Sequence, residues 1–182
     1  PSGTDQNSEG MIQISDHHHK VLKQIFSAGY WQASRAFSQM TQQKIEPEQL
    51  HISTVEHPTK IYPCYKASPE LTLVRTNLIG MLAGKSYLVF DPHDLGCLSK
   101  WISVSNKPGP DEKVVAAFAK ELDNVISACV VTHLSNTFSI QLYGDVPELE
   151  IIAPHLLNES IHQFQPHDQL SIIVQGGFVS AT

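Results

Sequence analysis

Residues 111–134, DEKVVAAFAKELDNVISACVVTHL, decide the reading of this chain. They read as one long helix. Gly109-Pro110 stands before Asp111 and Glu112, a start signal in which proline suits the first turn and two carboxylates meet the positive end of the helix dipole. No glycine or proline interrupts the rest of the stretch, so the helix can run on at ~1.5 Å per residue. At ~100° per residue, Val115, Phe118, Leu122, Val125, Ile126 and Cys129 share a broad apolar side, which is expected to be core. Ala117, Glu121, Asn124 and Ala128 form a narrow neighbouring strip. A carboxylate and a carboxamide three positions apart share one helix face and can act on one target. The small residues before and after them would let a partner surface come close. On spacing alone, Glu121 and Asn124 are better read as ordinary solvated polar residues.

A second long helix is expected earlier, over residues 15–43, capped by Ser15 or Asp16. Val21, Leu22, Ile25, Phe26, Ala33, Phe37 and Met40 give its apolar stripe, and Gly29 within it marks a close helix–helix crossing. Short strands are expected around 50–54, 61–66, 71–78 and 86–90, with Gly80 and Gly84 between the last two suiting a hairpin turn or bulge. Residues 93–102 read as a short helix with Leu95, Leu98 and Trp101 inward. After the second long helix, Phe138–Tyr143 alternates like a strand, Gly144-Asp145 turns the chain and Pro147 follows. Residues 150–153 give a short strand, and residues 170–174 and 178–180 read as one strand interrupted by Gly176-Gly177 or as two short ones.

An offset of 97 residues lays one long helix on the other: Phe37-Ser38-Gln39 on Leu134-Ser135-Asn136, and Ile45 on Leu142. Each helix leads into a strand and then a proline, which points to two helix–strand halves. The order helix–strands–helix–strands gives an α+β fold. Residues 1–10 are expected to be a disordered tail or a cloning remnant, and residues 11–182 a single domain with halves at about 15–103 and 104–182.

The Glu-x-x-Asn spacing of Glu121 and Asn124 on a long helix, with a related helix before it, resembles the CheC/CheX/FliY family of response-regulator phosphatases. Residues 78–90, LIGMLAGKSYLVF, look like the glycine-containing hairpin that precedes the second helix in that family. The family signature is Asp/Ser-x-x-x-Glu-x-x-Asn, and Ala117 departs from its first position. The resemblance covers roughly residues 15–180. It implies a CheC-like fold, two pseudo-repeated halves forming an antiparallel sheet with two long helices. It implies hydrolysis of the aspartyl phosphate of a CheY-like receiver domain in chemotaxis or two-component signalling. Asn124 would orient the attacking water, and Glu121 would pair with the receiver's active-site lysine. No cofactor of the chain's own is implied, because the receiver holds the Mg²⁺. The offset places Gln24 on Glu121 and Ser27 on Asn124, so the first helix lacks both motif residues. The chain thus resembles the one-site CheX kind, a branch in which homodimers occur.

Composition narrows the alternatives. A chain of 182 residues with 41% hydrophobic and 16% charged residues is globular. Its net charge of −6 argues against a nucleic-acid partner. No apolar run reaches the ~20 residues of a membrane span, and no secretory signal is visible. Cys64, Cys97 and Cys129 form no C-x-x-C, which fits reduced thiols and a cytoplasmic location. His17-His18-His19 point about 100° apart on a helix and cannot share one ion, and His155, His162 and His167 are split by Pro166, so no metal site is expected. A CheC-like module that binds a receiver or a flagellar partner without hydrolysis is the competing reading, since Ala117 departs from the motif.

Overall fold

A computed structural model of the chain describes residues 15–55, 68–102, 110–162 and 171–180. The expected strand at 61–66 and the tail at 1–10 lie outside the described residues. Helix α1 spans Asp16–Thr41, and the Ser15 side chain caps it by accepting from the His18 N–H. Strands β1 (Ile45–Pro47) and β2 (His51–Val55) follow, then the hairpin of β3 (Leu71–Gly80) and β4 (Gly84–Phe90), and helix α2 (Pro92–Ile102). Helix α3 covers Glu112–Phe138 and leads into β5 (Leu142–Gly144) and β6 (Glu148–Ile152). A 3₁₀ turn at Pro154–Leu156, helix α4 (Leu157–His162), β7 (Ser171–Gln175) and β8 (Phe178–Ser180) complete the order.

All strand pairings are antiparallel. The long strand β3 carries β4 on one edge, with Leu78 opposite Gly84. Its other edge takes β6 and β5 end to end, with Arg75 opposite Glu148 and Leu78 opposite Gly144. Strand β8 pairs with β1, and β7 with β2. The 97-residue offset read from the sequence holds element by element: β1 falls on β5, β2 on β6, and the helix-ending Gln42 on Ser139, both in the left-handed region at φ 55° and 54°. Even a side-chain bond repeats. The Ser38 hydroxyl donates to the Ile45 carbonyl (3.2 Å) and the Ser135 hydroxyl to the Leu142 carbonyl (3.3 Å). The halves interlock, because β3 of the first half pairs with β5 and β6 of the second while β7 and β8 pair with β2 and β1.

The main core lies between the helices and the sheet. Ala33 and Phe37 of α1, Ala119, Leu122 and Ile126 of α3, Val74 of β3 and Leu98 of α2 are buried together. Side chains alternate across a strand, so Leu71 and Leu73 point the other way and are buried by Leu157 and Ile161 of α4. Both faces of β3 are therefore covered at that end, which is why the run Leu71–Val74 is apolar or small throughout. The helices cross closely at Gly29, where an added Cβ would stand 3.2 Å from the Val130 Cα. Among the described residues no helix is long and apolar enough to cross a membrane.

The main differences from the sequence reading lie at the ends of the second long helix. Pro110 stands outside the helix, and Asp111 is its cap, accepting from the Lys113 N–H. Helix α3 runs on to Phe138, because residues 135–138 contain no breaker and only the left-handed Ser139 stops it. The expected strand Phe138–Tyr143 accordingly shrinks to Leu142–Gly144, where pairing to Ile79 and its neighbours begins.

Candidate functional site

The strip on α3 has the exposure its spacing requires. Val115, Leu122 and Ile126 are buried and Phe118, Val125 and Cys129 half-buried, while Ala117, Glu121, Asn124 and Ala128 are exposed. Glu121 and Asn124 thus present their polar groups side by side on a helix whose other side is anchored in the core. They do not stand on a flat surface. An open depression of about 530 Å³ lies beside them, walled by Ala117, Lys120, Glu121 and Asn124 on one side and by the turn Gly144–Pro147 on the other. The turn is held by backbone bonds, the Asp145 N–H donating to the Asn77 carbonyl at 2.8 Å. The repeat shows the same bond in the first half, from the Glu48 N–H to the Gly177 carbonyl at 2.8 Å.

Sequence reasoning passed over the most unusual residue of this region. Asp123, between Leu122 and Asn124, is 1% exposed. The Thr76 hydroxyl of β3 donates to its Oδ2 at 2.5 Å, and its Oδ1 has no partner among the described residues. Burial pushes this carboxyl up to about 6 from its usual 3.8, and the Thr76 bond opposes the rise. Ser127, one turn on, is also buried and donates to the Asn124 carbonyl at 3.2 Å. The strand β5 comes close here. A Cβ on Gly144 would stand 3.2 Å from the Thr76 Cγ2 and 3.9 Å from the Ser127 Oγ. A signal for Asp123 was present in the spacing: it follows Ala119 by four and precedes Ser127 by four, a row of small residues flanking the apolar side.

The first half carries different chemistry at the equivalent places. Gln24 is exposed and Ser27 half-buried where α3 has Glu121 and Asn124. Phe26 corresponds to Asp123, and the strand register places Gly176 where β3 has Thr76. Tyr30, the counterpart of Ser127, packs on Gly176, its Cε1 3.0 Å from where a Cβ would be. That half fills with aromatic surface what the second half fills with a buried polar bond.

Of the histidines singled out in the sequence, two are engaged by neighbouring groups among the described residues. His18 Nδ1 lies 2.8 Å from the Ser15 hydroxyl, and His19 Nε2 2.9 Å from the Ile52 carbonyl. His155 is exposed, and His167 and the side chain of His162 lie outside the described residues. Asp91, His93 and Asp94 lie close together, but Asp91 and Asp94 each accept the other's backbone N–H as caps of α2.

No family model and no curated protein matches the chain. Solved structures do. FliY of Thermotoga maritima is 14% identical with a TM-score of 0.64, over 94% of this chain and 86% of that one. The middle domain of FliM from H. pylori is 12% identical with a TM-score of 0.59, over 92% of this chain and 87% of that one. The chemotaxis protein CheX from Desulfovibrio desulfuricans is 14% identical with a TM-score of 0.54, over 85% of this chain and 99% of that one. At such identities the likeness is one of fold, and the fold of this chain is that of the CheC/CheX/FliY proteins, in agreement with the resemblance carried by Glu121 and Asn124 on its long helix.

Proposed function

We propose that this chain is a one-site, CheC/CheX-like phosphatase that hydrolyses the aspartyl phosphate of a phosphorylated CheY-like receiver domain in chemotaxis or two-component signalling. One juxtaposition supports this reading: Glu121 and Asn124 stand exposed and adjacent on a core-anchored helix, at the edge of an open depression. An acyl phosphate is already reactive, so an enzyme need mainly place water in line with the phosphorus. The Asn124 carboxamide both donates and accepts, and it is neutral, so it can hold that water without repelling the phosphoryl oxygens. Attack forms a bond from water oxygen to phosphorus as the bond to the receiver's carboxylate breaks. The products are the free carboxylate and inorganic phosphate, which carries both of the water's protons as H₂PO₄⁻. Glu121 pairs with the receiver's active-site lysine and fixes the register of the two proteins. The receiver's Mg²⁺ neutralises the phosphoryl group, and the chain supplies no metal of its own. Under this reading the protein works in the cytoplasm.

The test is the decay of a phosphorylated CheY-like receiver, with Mg²⁺, in the presence of the chain or its Asn124→Ala variant. The parent should accelerate decay and the variant should lose most of that acceleration, about 10²-fold, while still binding. Binding without acceleration would favour a second reading, a module that engages a receiver or flagellar partner without hydrolysis. Ala117, in place of the family's Asp or Ser, is the observation that favours it.

A further inference from the structure

The buried Asp123–Thr76 bond joins α3 to β3 beside the exposed strip, and the first half has Phe26 and Gly176 at the equivalent positions. Successive residues of a helix are ~100° apart, so the rotation that buries Asp123 also sets where Asn124 points. Ser127, ~40° further round from Asp123, continues the row with a bond to the Asn124 carbonyl. Gly144 packs on Thr76 and Ser127 together, so the turn that walls the depression rests on the same group. Apolar packing alone would hold the helix to the sheet. It is non-directional and tolerates small rotations, whereas a short hydrogen bond with a defined donor and acceptor does not.

We propose that Asp123 and Thr76 are positioning residues, a buried polar clamp that sets the rotation of α3 and so aims the Asn124 carboxamide at the reacting water. This deepens the phosphatase reading and rests on it. The clamp has two states. With the carboxyl ionised, Oδ1 is a buried charged oxygen without a partner; with it protonated, that charge is gone. No charged side chain facing it from the packed elements moves its titration, which burial and Thr76 set. Arg75, next on β3, points to the opposite face and pairs with Glu148. Lys120 and Glu121 lie on the exposed side of α3, and Asp145 is exposed in the turn.

The test uses the full chain and reads two things. The first is the side-chain amide signal of Asn124 by NMR between about pH 4.5 and 8, in the parent and in Asp123→Asn. The second is the catalysed decay of a phosphorylated receiver, expressed relative to its spontaneous decay at each pH. In the parent the Asn124 signal should move with a midpoint near about 6, and in Asp123→Asn that movement should vanish. Asp123→Asn keeps the acceptor for Thr76 and cannot ionise, so its turnover relative to spontaneous decay should show no step with pH. The pair Thr76→Val with Asp123→Leu replaces the clamp by apolar contact. It should melt cooperatively and bind the receiver, yet lose turnover by about 10–10²-fold, in kcat and not in KM. An Asn124 signal that ignores Asp123, or parental turnover in a folded apolar pair, overturns the clamp. A parent that never accelerates decay, with an Asn124 signal that still follows Asp123, refutes the phosphatase reading while upholding the clamp.

Discussion

Replacing Asp123 by Asn should change this protein's stability by an amount that depends on pH in one direction, the variant gaining on the parent as pH rises. The side chain is 1% exposed, and burial raises its carboxyl to about 6 from 3.8. The folded chain therefore holds this proton more tightly than the unfolded chain. Stability from the group is fully present below about 3.8 and is lost as pH rises through about 6. At ~1.4 kcal/mol per pH unit, the loss is about 3 kcal/mol by neutral pH. Asparagine cannot ionise, so the variant escapes this loss. It also brings an NH₂ to the place of an unpartnered oxygen, a cost of about 1–3 kcal/mol that does not vary with pH. The prediction therefore concerns the span, not the offset. Urea unfolding of parent and variant at intervals from about pH 4 to 7.5 should show a difference that grows by about 3 kcal/mol in favour of Asp123→Asn, or roughly 6–12 °C in Tm for a chain of this size. Other titrating groups cancel in the comparison. A difference that stays flat with pH would mean that Asp123 is solvated in the folded state, and the account of a buried, charge-sensitive clamp would be wrong.

The remaining perturbations separate fold from site. Glu121→Ala should weaken receiver binding by about 1 kcal/mol at low salt and less at high salt, as titration of a labelled receiver would show; normal binding with lost turnover would contradict its docking role. Leu122→Ala, at a fully buried position, should cost about 2–5 kcal/mol in urea unfolding, whereas the half-buried Phe118 should cost less than a wholly buried phenylalanine. Gly29→Leu must displace Val130, whose Cα stands 3.2 Å from the new Cβ, and should cost about 1–3 kcal/mol by the same measurement.

Much of this fold was legible because it rests on local signals that agree. The helix faces, the Ser15 cap, the Gly29 crossing, the hairpin around Gly80 and Gly84 and the inward Leu98 all follow from periodicity or from glycine at a forced position. At Gly80 the chain takes φ 137° with the Gln141 carbonyl directly against it, a place with no room for a side chain. The boundaries at Phe138 and Leu142 were not legible. A helix end set by a left-handed serine carries no residue signal, and β5 begins where a distant strand offers partners. Glu121 and Asn124 could be placed on an exposed face from spacing. Asp123 lies in a row of small residues with Ala119 and Ser127, but that row does not outweigh the rule that an acid on a long helix is ordinarily solvated, and β3 supplies the threonine that makes its burial tolerable.

The internal repeat sharpens what fold likeness can and cannot carry. Both halves share the helix-ending left-handed residue, the serine bond to the following strand and the backbone bond that holds the turn. The scaffold is thus the same in each, yet only one half has the pair of polar groups that could order a water. Five places distinguish them: Gln24 against Glu121, Ser27 against Asn124, Phe26 against Asp123, Tyr30 against Ser127, and Gly176 against Thr76. Two of the five are exposed in the second half and three are buried beneath them. If the exposed pair alone made the site, moving Glu and Asn onto α1 at Gln24 and Ser27 would create a second one. With the clamp required it would not, because Phe26 and Gly176 cannot supply the side-chain bond that Asp123 and Thr76 make. Chemistry on this fold resides in side chains that the scaffold permits and does not itself dictate.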